Sequence, residues 1–370
     1  MTAEHPRAHA VAGPLPVAAA ALVLGTLLSF LGLAWDVQWH SDVGPDTFFT
    51  LPHLVLYSGI ATTGLAALAA VLWWAGQVPR AADGIGGVIA AAWRAPLGFV
   101  IAGVGAAVFL VYGFYDLWWH EIYGFDVTFE SPPHIGLLIG MQIAMVGTVV
   151  VYAAQVWRVA PQRALAPPVL GLCLAVAVAL GGSVPFLTIV PPVFGPLSLD
   201  VLALAALYTL ALLLVSAVVR RPGAAILLAL VFVALRTIAA VVVQWATPQY
   251  ATALNLFLRD DALGFAYMPA FMPPAMLLAA LAVDAVLLAM RRRGGGLRTA
   301  VLVAGALAAS TLVVGYQPVA FGAGESNLTA LRAATRGATL LLAPLVGVAA
   351  AWLGWTIGVL MTITRNERIG

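Results

Sequence analysis

Ten runs of about twenty apolar residues punctuate the chain, near 15–36, 51–75, 96–119, 134–157, 168–190, 199–219, 223–246, 271–290, 298–315 and 338–362. A helix rises about 1.5 Å per residue, so each run matches the roughly 30 Å hydrocarbon core of a bilayer. Inside lipid the backbone must satisfy its own hydrogen bonds, which leaves helices or a closed barrel, and runs of this length are helical. The expected fold is all-α, a polytopic transmembrane helical bundle of about ten spans. Composition agrees, with 63% apolar and only 9% charged residues over 370 positions, against about 25% charged in a soluble domain.

Arginine orients the spans. All seventeen basic residues are Arg. Arg7, Arg80, Arg94, Arg158, Arg163, Arg220, Arg221, Arg291 to Arg293, Arg298, Arg365 and Arg368 share one side, while Arg259, Arg332 and Arg336 fall in loops on the other. By the positive-inside rule both termini are expected in the cytoplasm of a bacterial-type inner membrane. Residues 1–14 then form a cytoplasmic tail holding His5 and His9. A cleaved leader is not expected, because the run from Leu15 to Trp35 is long enough to span and leads directly into Asp36. No basic cluster exceeds Arg291–Arg293, so nucleic acid is not an expected partner; the bilayer is. The single cysteine, Cys173, rules out an internal disulfide and a Cys-based cluster.

Within this frame one polar unit occurs twice. Asp36, His40 and His53 follow the spacing D-x3-H-x12-H, and Asp116, His120 and His134 follow D-x3-H-x13-H. The first two of each set share a helical face at the outer end of spans 1 and 3. The third follows a proline (Pro52 or Pro133) that opens the returning span. Helices 1–2 and 3–4 thus read as a parallel repeat over residues 15–157, followed by a six-helix membrane unit over 158–370. Phe271-Met272-Pro273-Pro274-Ala275 reads as a decayed echo of Glu130-Ser131-Pro132-Pro133-His134 or as an ordinary proline helix start.

Two imidazoles and a carboxylate converging from two helix ends make a three-ligand metal site with room for solvent or substrate. Ligand type leaves copper, zinc and non-haem iron open. Asp46 and Asp126 recur in both copies and are candidates to orient an imidazole or to shape the loop. Glu130 joins them as a candidate and, with Glu121, would be the general base of a hydrolase. Glu121, Glu130 and Asp42 have no counterpart in the other copy and read as solvated. Trp35, Trp39, Trp118 and Trp119 read as interfacial anchors.

Asp36, Trp39, His40, Asp46, Thr47, Phe49, Thr50 and His53 together resemble the copper motif of the C subunit of the copper membrane monooxygenases, the particulate methane and ammonia monooxygenases. A second downstream site in that family has the x3 and x13 spacing, usually led by Asn; here Asp116 leads it. The resemblance covers about residues 15–157. It implies copper at both sites and, for an enzyme, oxidation of a small apolar substrate with dioxygen, beside other membrane subunits or as a homo-oligomer. The family's C subunit is shorter and works beside subunits with soluble cupredoxin domains, which this chain lacks. Two other functions suit the residues: a non-catalytic copper-binding or copper-handling protein, and a zinc-dependent membrane hydrolase.

Elsewhere, Arg236 and Asp284 lie inside spans 7 and 8, where charges are costly and usually pair; an intramembrane Arg236–Asp284 pair is expected. Met268, Met272 and Met276 are expected to pack, with a Cu(I) relay as the alternative. Met141 and Gln142 are candidates to line a cavity near the second site. The stretch 316–337 reads as an amphipathic outer-surface helix.

Overall fold

A computed structural model describes residues 14–44, 47–77, 95–124, 131–156, 165–189, 193–316 and 326–363, with side chains in the last segment from 334 to 362. Ten helices among them are long and apolar enough to cross a membrane. They are α1 (Leu15–Asp42), α2 (Leu51–Gln77), α3 (Leu97–Tyr123), α4 (Pro132–Val156), α5 (Pro167–Gly182) continued by the short α6 (Val184–Ile189), α7 (Leu199–Val219), α8 (Ala224–Ala253), the short α9 (Tyr267–Phe271) leading into α10 (Met276–Arg292), α11 (Leu297–Gly315) and α12 (Ser326–Ile363). A two-residue antiparallel pair, β1 (Val193–Phe194) with β2 (Leu197–Ser198), closes the turn before α7. The ten expected spans are all present, each helix overlapping its apolar run and α12 beginning twelve residues ahead of it.

The hairpins α1–α2 and α3–α4 are the tightest helix pairs of the first half, and glycine explains why. In lipid, helices associate through close van der Waals packing, which small residues permit. A Cβ on Gly25 would stand 2.7 Å from the Gly59 carbonyl oxygen, and one on Gly59 would stand 2.4 Å from the Ser29 nitrogen. In the second hairpin a Cβ on Gly105 would meet the Gly140 carbonyl oxygen at 2.6 Å, and one on Gly140 the Phe109 nitrogen at 2.5 Å. Gly25 and Gly105 are 80 residues apart, as are Asp36 and Asp116; Gly59 and Gly140 are 81 apart, as are His53 and His134. The duplication therefore includes the backbone contacts that set each hairpin's register, roughly two to four turns below the histidines.

The two hairpins lie beside each other through α2 and α3, and α1 also packs on α4, α5 and α8. In the second half α12 packs against α7 and α11, and α10 against α11 and α8. Met268, Met272 and Met276 are completely buried in the apolar core, as packing residues would be. Cys173 is likewise buried on α5.

Several polar and aromatic residues sit differently from expectation. Trp35 and Trp39 are buried rather than interfacial, with Tyr250 of α8 packed against both at ring-centroid distances of 5.8 and 4.9 Å. Trp118 is exposed, as an anchor would be. Arg236 and Asp284 do not pair. The Arg236 Nε–H donates to the Pro269 carbonyl at 3.0 Å, and Asp284 Oδ2 accepts from the Ile226 backbone N–H at 2.9 Å. Asp284 thus sits at the start of α8, where unsatisfied N–H groups favour a carboxylate. Ten residues of helix, about 15 Å, separate that point from Arg236. From Ser326 the expected surface helix is the beginning of α12 itself, one helix continuous with the last span.

Candidate metal centres

α1 does not stop where its apolar run ends. It continues through Asp42, and α3 through Tyr123, so Asp36 and His40, like Asp116 and His120, occupy successive turns of one helix face. His53 and His134 lie in the first turn of α2 and α4, just after Pro52 and Pro133. The hairpin geometry then brings each trio together. In the first group Asp36 Oδ1 is 3.1 Å from His53 Nε2 and 3.8 Å from His40 Nε2. In the second, Asp116 Oδ1 is 3.3 Å from His120 Nε2 and 3.4 Å from His134 Nε2. Within each group the three ligand atoms all fall within 4.8 Å of one another.

These separations suit a common ion. Ligand atoms about 2.0–2.1 Å from a metal and held at tetrahedral angles stand roughly 3.3 Å from each other. One carboxylate and two neutral imidazoles also form a donor set of net charge −1, suited to a divalent cation. Each group could hold a metal ion through three protein ligands, leaving further positions for solvent or substrate.

Ring orientation is fixed from outside each cluster. His53 Nδ1 lies 3.1 Å from the Thr47 carbonyl oxygen, and His120 Nδ1 lies 3.0 Å from that of Gly124. A carbonyl only accepts, so both rings carry their proton on Nδ1 and donate it, which leaves the Nε2 lone pair for the ion. The carbonyl that orients His120 comes from the residue ending α3, Gly124, at φ 79° in the left-handed region that glycine tolerates. Asp46, Asp126, Glu130, His5 and His9 lie outside the described residues. Glu121 is exposed on the last turn of α3.

The surroundings of the two groups differ. Tyr57, one turn after His53, stacks on its ring at 5.6 Å and 20°, and Phe48 packs on Tyr57 at 5.0 Å. Tyr57 and Phe48 form the upper end of an apolar cavity of about 910 Å³ between α2 and α3, with Gly64 and Gly103 along it and Leu68 and Phe114 among its exposed walls. Small residues on both helices create this groove. Met141 and Gln142 are not among its lining residues; Met141 is buried in the core, and the Gln142 amide donates to the Ala179 carbonyl of α5.

Asp42 is the clearest departure. Rather than being solvated, it is 8% exposed, and its carboxylate accepts from the Gln38 amide at 2.6 Å and from the Leu263 N–H at 3.0 Å. Its carbonyl accepts from the Arg259 N–H at 2.7 Å. The i, i+4 spacing of Gln38 and Asp42 is visible in the sequence, but their partners lie more than two hundred residues downstream.

Comparison with protein-family models, with curated proteins and with solved structures finds no match to this chain.

Proposed function

We propose that the protein is a membrane copper protein with one copper ion in each Asp/His/His group, and that the first group oxidises an apolar substrate taken from the bilayer. The observation that carries this reading is the doubled convergence: two hairpins in contact register each aim one carboxylate and two Nε2 atoms at a single point. Histidine-rich sets suit copper, zinc and iron alike; the preference for copper rests on the resemblance of both spacings to the copper monooxygenase C subunit. Arginine asymmetry supports an arrangement with both groups near the extracytoplasmic face and the termini in the cytoplasm.

Copper bound by such a set supplies a redox centre for dioxygen. The chain's own residues do the rest. Asp36 balances part of the ion's charge and stands between the two imidazoles. The Thr47 carbonyl holds the His53 ring in its ligating tautomer. Tyr57 stacks on that ring and Phe48 packs on Tyr57, so a molecule following the groove between α2 and α3 approaches His53 through apolar surface. That groove favours oxidation of an apolar molecule over copper transport, for which a polar path across the bundle would be needed. Arg236 and Asp284, the charges inside spans 7 and 8, are instead each bound to backbone, Arg236 to the Pro269 carbonyl and Asp284 to the Ile226 N–H, with about 15 Å of α8 between Ile226 and Arg236. Electrons for the reaction would come from a separate donor, carried by another membrane subunit or a soluble partner.

Elemental analysis with EPR on purified protein tests the reading. The wild type is expected to hold two copper ions per chain, His40→Ala or His120→Ala one, and the double variant none. Undiminished metal in the double variant would overturn the assignment of both sites. Zinc in a copper-replete preparation would replace oxidation with hydrolysis as the working function. Two copper ions with no oxidation of apolar substrates under dioxygen and reductant would leave a copper-handling protein.

A further inference from the structure

The two metal groups are copies in sequence, yet they are not held alike. Gln38 lies midway between Asp36 and His40 on α1, facing the opposite side of the helix, and is 2% exposed. Its amide donates to Asp42 and to the Phe265 carbonyl at 3.1 Å, and its own oxygen accepts from the Tyr267 N–H at 2.7 Å. Asp42, one turn further on, accepts from Leu263 through its side chain and from Arg259 through its carbonyl. Four hydrogen bonds therefore tie the last turn and a half of α1 to the segment 259–267 between α8 and α9. The Arg259 guanidinium also covers Gly44, where a Cβ would stand 2.1 Å from Nη2.

In the second copy the positions equivalent to Gln38 and Asp42 are Trp118 and Ile122, 48% and 54% exposed. Ile122 has no side-chain acceptor and Trp118 offers a single donor and no acceptor, so their side chains cannot reproduce this network. Buried hydrogen bonds to a charged group are stronger than neutral ones, and a fully satisfied network fixes a single arrangement. The ligand pair on α1 is thus braced from behind by the second half of the molecule, whereas among the described residues no such bond ties Trp118 or Ile122 of α3 to it.

We infer that Gln38 and Asp42 are positioning residues for the first metal group alone, fastening it to residues 259–267 and making it the tighter and more rigid of two inequivalent sites. The inference rests on the proposal that the Asp/His/His groups bind copper. Outer partners that orient ligands typically contribute about 10–100-fold in metal affinity. The first copper equivalent therefore loads the group of Asp36, His40 and His53.

The test isolates each site. In a His134→Ala background only the first group is complete; in a His53→Ala background only the second is. Gln38→Leu is expected to weaken Cu(II) binding about tenfold and broaden the EPR lines in the first background, and to change neither in the second. Asp42→Asn, which keeps its shape and its acceptor for Leu263, should give a smaller effect in the same direction. Unchanged affinity and spectra for Gln38→Leu in the first background would overturn the inference, as would equal effects in both backgrounds.

A measurement on the unaltered protein covers the case in which Gln38→Leu fails to fold. Hydrogen exchange across 259–267 is expected to slow on adding one equivalent of Cu(II), and no slowing when copper is bound would equally overturn the inference. Failure of the underlying reading looks different: the wild type would bind no copper in either group.

Discussion

At the residue scale, the six metal-ligand candidates were legible because their spacing encodes geometry. Two residues four apart on a helix face and a proline-led first turn on the next helix suffice to predict convergence. The partners of Asp42, Arg236 and Asp284 are not legible in the sequence, for a shared reason. A buried polar group is satisfied by whatever lies beside it in space, and here that is backbone brought in by distant segments. Asp284 illustrates the energetics: its carboxylate accepts from an N–H that α8 cannot satisfy internally. Asp284→Ala is expected to lower stability by about 1 kcal/mol, in the range of lost helix caps, and Asp284→Asn, which retains an acceptor oxygen, by less. Thermal melts in detergent check this ordering; an equal loss for both would argue that charge rather than the hydrogen bond matters. Tyr57→Ala removes the ring stacked on His53 while leaving all three ligands. It is expected to keep the copper content at two per chain and to alter the EPR signal of the first group only.

At the scale of elements, the hairpin is the unit that makes a site. The apolar runs gave the ten spans, and the Asp/His repeat gave the pairing of α1 with α2 and α3 with α4. The glycine contacts have no signature of their own in the sequence, because glycine is common throughout the chain and only facing backbones reveal which ones matter. They explain how a ligand on one helix finds a ligand on the next: register set at Gly25–Gly59 and Gly105–Gly140 is carried up rigid helices to the histidines. Gly59→Leu would drive a side chain into the Ser29 backbone and Gly140→Leu into that of Phe109. Each is expected to cost about 1–3 kcal/mol through overpacking and to lose the copper of its own hairpin while sparing the other. Copper per chain by elemental analysis checks this, and retention of both ions would show that register is set elsewhere.

For the whole molecule, sequence placed the helices along the membrane normal and left their lateral arrangement unstated. Hydropathy measures depth; it says nothing of neighbours. That α8 would lie against α1, burying Trp35 and Trp39 under Tyr250, has no signature in either stretch. The proposed orientation is open to direct test. With Cys173 replaced by Ala, a cysteine at exposed Asn255 should react with a membrane-impermeant maleimide in intact cells, and one at exposed Arg293 should react only after permeabilisation. The opposite pattern would invert the topology and put both metal groups in the cytoplasm.

The brace on α1 also sets an order of construction. Each metal group is complete once the second helix of its hairpin has entered the membrane, because its ligands span fewer than twenty residues of chain. The segment that fastens the first group begins only at Arg259, some two hundred residues after His53. At about 5–20 residues per second of synthesis, that delay is roughly 10–40 s. The second hairpin follows at Val156, about midway through this interval, and nascent chain ending before Arg259 has neither group fastened from behind. The brace is acquired late, when the ribosome delivers the strap.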